Sequence, residues 1–115
     1  MVQNRNKLID LFIGNIANVV VHEILERAVS KELLADKYRK ELVTSFEVAK
    51  HYREKINPTN RPLPEKDVLY IKEKIVHRVK AELMTRISKG YKNIDLNLIE
   101  DLVYRVLKNT NIEWL

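Results

Sequence analysis

The chain contains no cysteine, so disulfides, cysteine-ligated zinc and thiol chemistry are excluded. Two glycines and three prolines leave a chain of 115 residues few points at which to turn. That favours a few long elements over many short strands. No glycine-rich loop is present to cradle a phosphate, and none of Ser30, Ser45 and Ser88 stands in a G-x-S-x-G turn. No basic region leads into an apolar run with a small-residue cleavage site, so no signal peptide is expected. The most apolar stretch is interrupted by Asp10, Asn15, Asn18, His22 and Glu23. A membrane span needs roughly 20 nearly uninterrupted apolar residues. With the missing cysteines, this predicts a cytoplasmic protein without a membrane partner.

What is present describes a folding chain. Charged residues make up 32% and apolar residues 45%, which excludes a disordered chain and allows one hydrophobic core within a single domain spanning 1–115. Lys, Arg, Glu, Ile and Val are abundant and glutamine occurs only at Gln3. This is the bias of heat-adapted proteins, set against many asparagines.

Apolar periodicity predicts four helical segments, three long and one shorter. The first runs from about Asn6 to Val29. Its apolar residues Leu8, Ile9, Phe12, Ile13, Ile16, Ala17, Val19 and Val20 fall on one half of the helical wheel, with Leu11 as the exception. From Val21 onward the apolar set is Val21, Leu25, Ala28 and Val29, on the other half. The segment therefore either breaks near Val21 or buries two sides against two neighbours, the second of which could belong to another copy of the chain or wrap the helix within one. Ser30 is the expected N-cap of a second helix reaching Ile56. Its stripe is Leu34, Tyr38, Leu42, Phe46, Ala49, Tyr52 and Ile56.

All three prolines lie between Asn57 and Pro64, a linker-like stretch that divides the chain into two helical hairpins. Pro64 suits the first turn of a third helix, with core stripe Val68, Ile71, Ile75, Val79, Leu83 and Ile87 and an end at Gly90. Asp95 caps the shorter fourth helix, with Ile94 and Ile99 placed as a hydrophobic staple. The expected fold is all-α, an antiparallel helical bundle. Val20, Leu42, Phe46, Ile75 and Leu83 are expected among its most buried residues.

Catalytic chemistry finds no constellation. Each histidine has a glutamate four residues away, His22 with Glu26, His51 with Glu47 and His77 with Glu73. Carboxylate-bridged metal sites in helical bundles use Glu-x-x-His instead, so solvated ion pairs are expected and no metal or cofactor. No small-molecule ligand is inferred.

Charge and apolar patterning point to association. Between Ile71 and Lys92 seven cations stand against two acids, an excess equal to the formal net charge of +5. Lys74, Arg78, Ala81, Thr85 and Lys89 line one edge of the third helix, and Lys74, Arg78 and Lys89 are the candidate polyanion contacts. Tyr70, His77 and Met84 recur every seven residues with Ala81 beside them, the pattern of a helix–helix seam. The apolar tail Ile112-Glu113-Trp114-Leu115 is expected to dock. The candidate interface is Val21, Leu25, Tyr70, His77, Ala81, Met84 and Trp114. The expected function is a non-enzymatic helical protein acting by self-association, as a dimer, or by protein–protein interaction. Nucleic-acid binding through the third helix is the alternative.

Overall fold

Helix α1, Arg5–Ala28, is continuous through Val21 and occupies the middle of the molecule. The computed structural model describes residues 4–57, 61–110 and 112. Among them are three further α-helices and no strand: α2, Glu32–Ile56, α3, Glu65–Ser88, and α4, Ile99–Lys108, which a 3₁₀ turn at Leu96–Leu98 precedes. The bundle measures 41 × 28 × 24 Å.

The change of apolar side along α1 has an internal cause. Helix α1 packs on α2 along its length and on α3 and α4 as well, whereas α2 barely meets α3. Val21 and Leu25, expected at an interface with another copy, are buried in the chain's own core beside Phe12, Ile16, Val20 and Ile24. Helix α1 is long and apolar enough to cross a membrane by length and composition, yet 61% of that window is buried by the other helices. Its open strip carries Lys7, Asp10, Leu11, Gly14 and Asn18, which explains why Leu11 departs from the pattern.

Ion pairs and caps show how the helices run. Arg5 meets Asp67 at 2.6 Å where α1 and α3 begin, and Gly14 faces Arg78 further along, so these two helices are parallel. Helix α2 returns along α1, with Arg39 donating to Glu26 at 2.6 Å and His22 Nε2 2.8 Å from Glu41. The expected Glu26 partner of His22 is thus taken by Arg39. The N-cap of α2 is Lys31 instead of Ser30 and makes no side-chain capping bond. Helix α3 ends in a Schellman motif: Gly90 N–H donates to Ile87 O, Tyr91 N–H donates to Arg86 O, and Gly90 takes φ 97°. Asp95 caps the 3₁₀ turn by accepting from Asn97 N–H at 2.9 Å.

The proline stretch is less of a linker than its composition suggests. Leu63 is buried in the core and its N–H donates to Ile112 O at 2.8 Å. Arg53, on the face of α2 that carries Leu42, Phe46 and Ala49, is buried and donates to Thr110 O, Asn57 O, Asn57 Oδ1 and Arg61 O. One guanidinium thereby joins the end of α2, the proline segment and the end of α4.

The expected core is met at Val20, Ile75 and Leu83, which are fully buried. Leu42 and Phe46 are only half-buried. They line an open groove of about 260 Å³ between α2 and α4, floored by Val19 of α1. Helix α2 touches the bundle mainly along α1, so a narrower part of its stripe is covered. Ile87 is 37% exposed.

Candidate functional site: the outward face of α3

The side chains of α3 divide by spacing. Val68, Ile71, Ile75, Val79 and Leu83 face inward and are buried. Val76 and Val103 floor a groove of about 510 Å³ between α3 and α4, whose rim carries Lys72, Glu73, His77, Lys80, Glu100 and Tyr104. The remaining face is open. Tyr70 is 45% and Met84 49% exposed, and His77 and Ala81 between them are exposed too. The expected seam therefore stands uncovered by the described residues. Trp114, named with it, lies outside them, as do Glu113 and Leu115; Ile112 is buried.

Cations border this ridge. Lys74 lies over the Tyr70 ring with Nζ 5.8 Å from its centroid. Arg78, toward α1, extends across Gly14, so that a Cβ built there would stand 3.0 Å from Nη1. Lys80 borders the α4 side. Lys74, Arg78, Lys80 and Lys89 are all exposed, and no ion pair engages them among the described residues. Arg86 differs. It turns inward, donates to Glu82 at 3.2 Å and stacks on Tyr91 at 5.4 Å.

Gly14 supplies a test of this geometry. Glycine inside a helix is about 1 kcal/mol worse than alanine. The only close neighbour of a new Cβ is the far end of a flexible side chain. Gly14→Ala is therefore expected to raise stability by up to about 1 kcal/mol, read by urea unfolding, while displacing Arg78. A loss of stability would mean that Arg78 is held rigidly where it lies.

No family model, curated protein or solved structure matches the chain.

Among the described residues no three His, Asp or Glu side chains converge as a metal site would need. His51 sits exposed against the Tyr52 ring at 5.9 Å. Burial raises the pKa of Tyr38 above the ordinary tyrosine value, and the neighbouring Tyr91 adds to this. Burial lowers the pKa of Arg53. The sequence reading missed Arg53, although its register offered a signal: it follows Leu42, Phe46 and Ala49 by eleven, seven and four residues, as a core position would.

Proposed function

We propose that this is a non-enzymatic helical protein that works by association, engaging an acidic amphipathic helix through the outward face of α3. The observation that carries the reading is the exposed ridge of Tyr70, His77, Ala81 and Met84 between cations that no ion pair engages among the described residues. A helix laid along the ridge would bury its apolar side on Tyr70 and Met84, while its carboxylates meet Lys74 and Arg78. Ala81 admits a close backbone approach. A second copy fits this face less well, because it would bring further cations to the same edge. The two-sided pattern of α1, which suggested a homodimer, is accounted for within one chain.

The test is the mass in solution by light scattering over a concentration series at low and high salt, followed by titration with a labelled Glu-rich amphipathic helix. A monomer that binds the peptide, with at least a tenfold loss in the double variant Lys74→Glu, Arg78→Glu, is the expected result. A dimer that resists salt and dissociates on Met84→Glu would assign the ridge to self-association instead.

The row Lys74, Arg78 and Lys89, exposed along one edge with small residues between, favours a second reading as a polyanion contact. Oligonucleotide binding that falls steeply with salt, and is lost on reversing Arg78 and Lys89 to Glu, would support it.

A further inference from the structure

A broad cleft lies away from the α3 ridge, where the α1–α2 turn meets the connection from α3 to α4. It encloses about 1010 Å³. Its floor is apolar, from Leu25, Ala28, Val29 and Leu34, and its walls include Tyr38 and Tyr91. Four cations line it, Lys31, Lys37, Arg86 and Lys92, against one carboxylate, Glu41. That carboxylate is occupied by His22, 2.8 Å away. We propose that this cleft binds an organic phosphate, a small anion that sets its phosphate among Lys31, Lys92 and Arg86 and its apolar body on Leu34 and Tyr91.

The chemistry follows from how Arg86 is held. Its Nε is engaged by Glu82 at 3.2 Å and its plane rests on Tyr91 at 5.4 Å, which orients the guanidinium. Its Nη groups make no hydrogen bond among the described residues, leaving the forked edge that suits a phosphate. Arg86 is paired with Glu82, whereas Lys31, Lys37 and Lys92 make no ion pair among the described residues, so three of the four cations keep their field in the cleft. Tyr38, 7% exposed, sets its hydroxyl in the wall of the cleft, with its pKa raised by burial and by Tyr91 beside it. Gly90 and Asn93, at φ 97° and 65°, shape the turn that carries Tyr91 and Lys92 along the rim. The apolar floor selects against a bare anion, and a cleft of this volume is of the size that takes a small organic ligand.

The experiment is titration of isotope-labelled protein with phenyl phosphate, inorganic phosphate and benzyl alcohol, followed by amide chemical shifts. Phenyl phosphate is expected to bind most tightly and to move Lys31, Leu34, Tyr38 and Tyr91. The double variant Lys31→Glu, Lys92→Glu should weaken it at least tenfold, whereas Lys74→Glu, Lys89→Glu on the α3 side should leave it within about twofold. Circular dichroism checks that both variants fold. No shift in the cleft at millimolar phenyl phosphate would overturn the proposal. So would an equal loss in both variants, which would reveal attraction to overall charge alone. Equal affinity for inorganic phosphate would remove the apolar body from it.

Discussion

Arg53→Met is expected to destabilise the protein by about 3–5 kcal/mol, seen as a fall in the urea midpoint at an unchanged slope. The side chain is 1% exposed. Its Nε donates to Thr110 O at 2.9 Å, its Nη1 to Asn57 O at 3.3 Å and to Asn57 Oδ1, and its Nη2 to Arg61 O at 2.8 Å. Burial works against the charge and lowers the pKa, although an arginine stays protonated at any working pH. The acceptors offset that desolvation. Methionine fills similar space without donating, so carbonyl oxygens at three points of the chain lose their partner together, each worth roughly 1–3 kcal/mol. Arg53→Lys should recover less than half of the loss, because a single ammonium cannot span acceptors that a planar fork reaches in different directions. The proline segment should then become the first site of limited proteolysis. A loss below about 1 kcal/mol in Arg53→Met would mean that water reaches these carbonyls and satisfies them.

The legible part of this fold is its periodicity. Val68, Ile71, Ile75, Val79 and Leu83 recur every three or four residues, and that alone places the buried side of α3. Gly90 at the end of α3 was readable because capping chemistry is local, whereas Asp95, expected to cap the fourth helix, caps the 3₁₀ turn that precedes it, and the N-cap of α4 is Leu98. Neighbour identity is not local. The wheel pattern of α1 shows that two sides are buried, and the same pattern arises whether the second cover is another copy or α3 and α4 of the same chain. Val21 and Leu25 were misassigned for that reason. Tyr70 and Met84 were found by spacing, and they are exposed because α1 and α4 take the other sides of α3. The cleft around Arg86 was not legible. Lys31 and Lys37 come from one stretch and Arg86 and Lys92 from another some fifty residues on, and only the tertiary fold gathers them.

Phe12 and Phe46 offer the same side chain in two environments, and their alanine variants should separate sharply. Phe12 is 0% exposed in the middle of α1, among residues contributed by the whole bundle. Phe12→Ala removes a fully buried ring and leaves a cavity that rigid helices on several sides cannot close, so a loss of about 3–5 kcal/mol is expected. Phe46 is half-buried over the open groove, with Lys50 Nζ 5.3 Å from its ring centroid. Truncation there enlarges a space that water already enters, so little is added for an enclosed void and the loss should stay near 1–2 kcal/mol. Both values come from urea unfolding with the wild-type slope as control. Similar losses at the two positions would mean that the groove between α2 and α4 is closed in solution and that Phe46 belongs to the core after all. A difference of about 2 kcal/mol or more would make α1 the helix around which the other three are organised, with α2 held chiefly by its contact with α1 and by the Arg53 bridge at its end.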